Sequence, residues 1–121
     1  MLSGIRVLIV EDEALAAAAL SDAVEDAGEV VVGIARTVGE ARQIIKVLGF
    51  DVAVLDFHLP DGDITPVLKA LHARRAATVV YSGDELPGKV RQRHPDPVAL
   101  RTPVLSGRIA AEILRARRKG A

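Results

Sequence analysis

A chain of 121 residues, half of them hydrophobic, is long enough for a packed core and too apolar for a disordered segment. It has no cysteine, which excludes disulfides and thiolate metal sites. Sixteen basic residues balance sixteen acidic ones and aromatics make up only 2%, so no nucleic-acid partner is expected.

Ile5 to Val10 is an apolar run broken only by Arg6 and reads as a buried strand. It is too short to span a membrane. It also runs straight into Glu11-Asp12-Glu13 with no small-residue cleavage site, so a soluble, cytoplasmic protein without a membrane partner is expected. An alanine-rich helix follows to about Ala27, with Ala16, Leu20, Ala23, Val24 and Ala27 on one face and Gly28 as its stop. Val30 to Ile34 is a second strand. Thr37 and Glu40 form a capping-box pattern that opens a helix through Leu48, with Ala41, Ile44, Ile45 and Leu48 inward, and Gly49 ends it.

Val52, Ala53, Val54 and Leu55 form a third apolar strand that stops abruptly at Asp56, and the turn residues Pro60, Asp61 and Gly62 follow. Thr65 and Pro66 read as N-cap and first helical position of a helix through about Arg74. Thr78 to Ser82 is a fourth strand. Asp84 to His94, interrupted by Pro87 and Gly88, offers only a short helix or an irregular loop. Val98 to Arg101 is a fifth strand, and Ser106 caps a last helix that packs through Ile109, Ile113 and Leu114. Arg115, Arg117, Arg118 and Lys119 complement that helix's C-terminal end.

Strands alternating with helices predict βαβ units and an α/β fold: a flavodoxin-like, doubly wound, five-stranded parallel sheet of order 2-1-3-4-5 with a short or irregular fourth helix. No repeat or linker divides the chain, and residues 1–121 read as a single domain. In that topology the first and third strands are neighbours, and Glu11 and Asp12 leave the sheet at the edge where Asp56 leaves it. Three carboxylates then converge and, left bare, repel one another. A hard divalent cation relieves the repulsion, and oxygen-only ligands suit Mg²⁺. Asp56 itself either holds the cation, attacks phosphorus as a nucleophile, or simply starts a turn. Ser82 and Gly83 end the fourth strand. The hydroxyl there can donate to a phosphoryl oxygen and the glycine allows close approach, although taken alone the pair is better explained as a plain turn serine.

Taken together, Glu11-Asp12 after the first strand, Asp56 ending the third with Leu59-Pro60 behind it, and Ser82-Gly83 after the fourth resemble the receiver domain of bacterial two-component response regulators over essentially the whole chain. The resemblance implies that Asp56 accepts a phosphoryl group from a phosphohistidine on a sensor histidine kinase or a histidine phosphotransfer protein. It implies Mg²⁺ held by Asp12, Asp56 and the backbone carbonyl of His58, with Glu11 acting through a metal-bound water. It makes Ser82 the residue that contacts the phosphoryl group and carries the switch. The implied protein signals to a downstream protein by docking or by phosphorelay, and is no enzyme beyond its own phosphorylation and dephosphorylation.

The pattern also breaks. The family's Lys-Pro after the fifth strand is Thr102-Pro103 here, with a cis bond expected between them. The family's switch aromatic is Ala99, for which Tyr81 is no assured substitute, and a glycine beyond the central aspartate motif is Ile64. These departures resemble the atypical, stand-alone receivers. They also motivate an alternative: a phosphorylation-independent pseudo-receiver that serves as a protein-interaction module. A flavodoxin-like cofactor binder fares worse, because Glu11-Asp12-Glu13 would repel its phosphate. In the family kinases dock beside the first helix and the loop after the fifth strand, here about 103–107. His58 reads as a side chain at the site's mouth, and His72 and His94 as surface residues.

Thr102 keeps a donor but brings no charge, and Arg101 beside it is expected to aim at the other face of its strand, so the expectation is slowed transfer, weakened switching, or rescue by Arg101 through local distortion. By analogy with oxyanion sites, one missing donor at developing charge slows transfer by about a hundredfold. Thr102→Lys is therefore expected to accelerate phosphoryl uptake by up to that factor in a side-by-side phosphotransfer assay. A lysine variant no faster than wild type would refute the argument.

Overall fold

The computed structural model describes residues 4–56, 58–82 and 98–101. In chain order the elements are β1 (Arg6–Val10), α1 (Ala14–Asp26), β2 (Val30–Ala35), α2 (Val38–Val47), β3 (Val52–Asp56), β4 (His58–Leu59), β5 (Gly62–Asp63), α3 (Thr65–Ala73), β6 (Ala77–Ser82) and β7 (Val98–Arg101). The main sheet runs β2-β1-β3-β6-β7 with every neighbouring pair parallel. This is the 2-1-3-4-5 order expected of the flavodoxin-like fold, while β4 and β5 form a separate antiparallel ribbon that the sequence did not announce. Asp84–His94, Thr102-Pro103 and the last helix from Ser106 lie outside the described residues.

Alternation along the central strands sends successive side chains to opposite faces, and both faces are covered, so residues 7–10 of β1 and 52–55 of β3 are apolar and buried. Val7, Ile9, Val52, Val54 and Val79 pack with Leu20, Ala23 and Val24 of α1. Leu8, Val10, Ala53, Leu55 and Val80 pack on the other face with Ala41 and Ile45 of α2 and Val67, Leu68 and Leu71 of α3. On that second face the Arg74 guanidinium lies 4.2 Å from the centre of the Phe50 ring and donates to the Ile45 carbonyl, tying the end of α3 to α2.

The helix ends show how local chemistry sets the boundaries. α1 stops in a Schellman motif: Gly28 N–H donates to Glu25 O, Glu29 N–H donates to Val24 O, and Gly28 takes φ +86°. α3 ends with the same bond pattern, Arg75 to His72 and Ala76 to Leu71, but there the left-handed position (φ 61°) is held by Arg75. The Thr37 hydroxyl caps α2 by accepting from Glu40 N–H at 3.0 Å. Two expectations need correction. Thr65 is not the N-cap of α3. Ile64 is, because Leu68 N–H donates to Ile64 O, so Thr65 already lies in the first turn beside Pro66. On α1 the residue buried in the first turns is Ala17, whereas Ala16 is only half-buried, since the helix begins at Ala14 and its inward face is set from there.

The β1–β2 register shifts between Val7 and Leu8: Val7 pairs with Val31 and Leu8 with Gly33, leaving Val32 as an extra residue in the edge strand. Just before the amino end of β1 lies the buried Glu29, whose Oε1 accepts from Ile5 N–H at 3.3 Å while Oε2 has no partner among the described residues. Burial pushes its carboxyl above the usual range, and the Ile5 amide only partly offsets this. An acid with a raised folded pKa leaves the native state unharmed below the ordinary carboxylate range and destabilises it as the pH rises through that range. Glu29→Gln is therefore expected to raise the melting temperature at neutral pH, with the advantage disappearing near about pH 4 in a pH series of thermal melts.

Candidate functional site

Parallel register decides what meets at the carboxyl edge of the sheet. Val10, the last residue of β1, pairs with Leu55, and Asp56 pairs with Tyr81 of β6. Glu11 and Asp12 therefore leave β1 beside the end of β3. One carboxylate oxygen from each of Glu11, Asp12 and Asp56 lies within 4.8 Å of the others. Glu11 is buried, and Asp12 and Asp56 are half-buried.

Backbone bonds hold this edge in place. Glu11 N–H donates to Ala35 O at 2.8 Å, which carries the β1–β2 ladder one residue past β1. Glu11 Oε2 accepts from Glu13 N–H at 2.9 Å, folding the acidic loop back on itself ahead of α1. The Asp12 carbonyl accepts from the Arg36 guanidinium at 3.1 Å, so the start of the β2–α2 connection grips the loop after β1. Opposite ligands of an octahedral ion at 2.1 Å stand about 4.2 Å apart. The spacing and the all-oxygen donor set of Glu11, Asp12 and Asp56 therefore suit a small, hard divalent cation.

The segment after Asp56 is anchored from three directions. Leu59 and Ile64 are buried in the core shared with Val38 and Ala41. Between them Asp61 reaches the start of α2, where Oδ1 accepts from Val38 N–H at 2.7 Å and Oδ2 from Gly39 N–H at 3.1 Å. These amides, Val38 first and Gly39 second, hold the Asp61 carboxyl below the usual carboxylate range. Sequence reading saw Asp61 only as a turn residue, since nothing local announces a partner 22 residues upstream.

The other expected site residues stand as follows. His58 lies in β4 opposite Asp63, and Ser82 is the last residue of β6, paired with Arg101 of β7. Ala99 pairs with Val80. Gly83, Thr102 and His94 lie outside the described residues. His72 is exposed in the last turn of α3.

A family model for the response regulator receiver domain matches residues 7–84. The chain belongs to that family. No curated protein matches it. Among solved structures, SdrG from Sphingomonas melonis Fr1 is 32% identical, with 98% of this chain and 99% of that chain covered at a TM-score of 0.80. The signal receiver domain of a modulated diguanylate cyclase from Desulfovibrio desulfuricans G20 is 27% identical, covering 95% and 94% at 0.81. A CheY-like receiver domain protein from Methanospirillum hungatei JF-1 is 24% identical, covering 98% and 97% at 0.83, and there the likeness is one of fold. The chain is thus a two-component signalling receiver, of a family that normally binds Mg²⁺ through acidic residues and interacts with kinases or phosphotransfer proteins and downstream targets. No helix among the described residues of this receiver is long and apolar enough to cross a membrane.

If the receiver's three carboxylates form a cation site, Mg²⁺ at about a hundred times its dissociation constant is expected to stabilise the fold by about 2.7 kcal/mol. Asp12→Asn removes one ligand charge and is expected to abolish most of that shift at the same Mg²⁺ concentration. Thermal melts with and without the ion measure both.

Proposed function

We propose that this receiver takes a phosphoryl group on Asp56 from a phosphohistidine of a sensor histidine kinase or a histidine phosphotransfer protein, in a Mg²⁺-dependent reaction. The observation that supports it most is the convergence of Glu11, Asp12 and Asp56 at the carboxyl edge of β1 and β3. A carboxylate oxygen of Asp56 attacks the phosphorus in line. The new O–P bond forms as the P–N bond breaks, and the imidazole leaves with the electron pair. Hydrolysis of the resulting acyl phosphate returns the carboxylate and inorganic phosphate, so the signal is transient.

Asp12, Asp56 and the His58 carbonyl would hold the ion, with Glu11 acting through a water. When bound, Mg²⁺ supplies neutralisation of the charge on the transferring phosphoryl oxygens. The contributions of the chain itself are positional. Glu11 is kept in place by the Glu13 amide, and the loop carrying Asp12 is kept against Arg36. In this reading the Ser82 hydroxyl donates to the phosphoryl group and carries the switch, and Thr102 stands where the family has a charged lysine, giving a slower transfer. The receiver is no enzyme toward any separate substrate. It acts in the cytoplasm, with its kinase or relay protein and a downstream protein as partners.

Ala99, paired with Val80 where the family has its switch aromatic, favours a second reading: a phosphorylation-independent interaction module with the same fold and acidic pocket. Incubation with Mg²⁺ and acetyl phosphate, followed by intact-mass measurement, separates the two. The expected outcome is a mass gain of one phosphoryl group that vanishes in Asp56→Asn. Wild type that gains nothing, even from the cognate kinase, supports the second reading instead.

A further inference from the structure

We infer that Asp61 is a positioning residue for the proposed site: its carboxylate clamps the β4–β5 ribbon to the start of α2 and so fixes the backbone that follows Asp56. The inference rests on the proposed role of Asp56 and of the His58 carbonyl.

The ribbon consists of two bridged pairs, His58 with Asp63 and Leu59 with Gly62. Two-stranded pieces of this length are not stable by themselves. Leu59 and Ile64 pin its two ends to the core, but the turn between them stands exposed. Asp61 makes its bonds from that turn to another element, the start of α2. They are charge-assisted bonds at a helix N-terminus, where the amides lack intrahelical partners. Thr37 satisfies the Glu40 amide of that same turn, so α2 is capped once from its own sequence and twice from the ribbon.

The same junction reaches the other half of the site. Arg36 donates to the Asp12 carbonyl, and two residues later the Val38 N–H donates to Asp61. The stretch 36–39 therefore grips both loops that carry the proposed ligands, the one after β1 through Arg36 and the one after β3 through Asp61. Asp61 is itself neither a core residue nor one of the three carboxylates, so its replacement removes none of those groups and only the bonds to α2. Its effect belongs on ligand geometry as well as on stability.

Thr37→Ala provides the control, because it removes a cap from the same helix without touching the ribbon. Mg²⁺ affinity is read by titration followed through amide chemical shifts, phosphoryl uptake by intact mass with acetyl phosphate, and stability by thermal melts. Thr37→Ala and Asp61→Ala are both expected to lower the melting temperature, Thr37→Ala by roughly 2–8 °C. Only Asp61→Ala is expected to weaken Mg²⁺ binding, by about tenfold, as on loss of a group that orients a metal ligand, and to slow phosphoryl uptake with it. Asp61→Asn keeps one acceptor for the Val38 amide and is expected to recover part of both, and it carries the comparison should the alanine variant fail to fold. Two results overturn the inference alone: a less stable Asp61 variant with wild-type Mg²⁺ affinity and uptake, or Thr37→Ala weakening Mg²⁺ equally. Wild type that neither binds Mg²⁺ nor gains a phosphoryl group overturns the reading of Asp56, and this inference with it.

Discussion

Everything at the proposed site depends on the pairing of β1 with β3. Because Val10 stands opposite Leu55, the residues that follow each strand emerge at one edge and on one level. That register is enforced from within. Val7 and Ile9 must face α1 while Leu8 and Val10 face α2 and α3, and a slip by one residue would send each set to the wrong layer. The hydrophobic sorting of four side chains thus determines which carboxylates share a pocket. The convergence of three carboxylates there is a consequence of the packing, and folding supports it because the strands beneath are buried on both faces.

Two further layers of interaction convert a shared edge into a defined geometry. Backbone amides hold the acidic loop, through Glu11 with Glu13 and Glu11 with Ala35. Side chains then bridge between loops, through Arg36 to the Asp12 carbonyl and through Asp61 to the Val38 and Gly39 amides. The β2–α2 junction is the common member. It carries none of the proposed ligands, yet it touches both segments that do.

Much of this was legible in the sequence because it is written in local patterns. Continuous apolar runs gave the buried strands, and Thr37 with Glu40 marked the start of α2. Placing Glu11, Asp12 and Asp56 together needed the chain order of strands, right-handed crossovers and the flavodoxin-like order 2-1-3-4-5, which sets the first strand beside the third. What could not be read depends on contacts between distant segments. The ribbon at His58–Asp63 is too short to show a period, and the reach of Asp61 to an amide 23 residues away has no local mark. Arg75 makes the same point in reverse: its left-handed backbone follows from closing α3 onto β6, where a glycine would have signalled the bend and an arginine hides it. The start of α1 and the Leu20, Ala23 and Val24 part of its inward face were legible, but in the first turns Ala17 is buried in place of Ala16, since in an alanine run composition does not tell one side from another.

The extra residue at Val32 bears on how this molecule behaves among its own copies. β2 borders the sheet, carries no charged residue, and leaves Val30 and Ile34 in contact with solvent, the profile of a strand open to recruitment into an intermolecular sheet. The bulge interrupts the regular spacing of its free donors and acceptors, so an incoming strand can follow them on one side of Val32 or on the other but not through it. Aggregation by strand addition is thereby restrained by backbone geometry, in a place where the side chains offer no such defence.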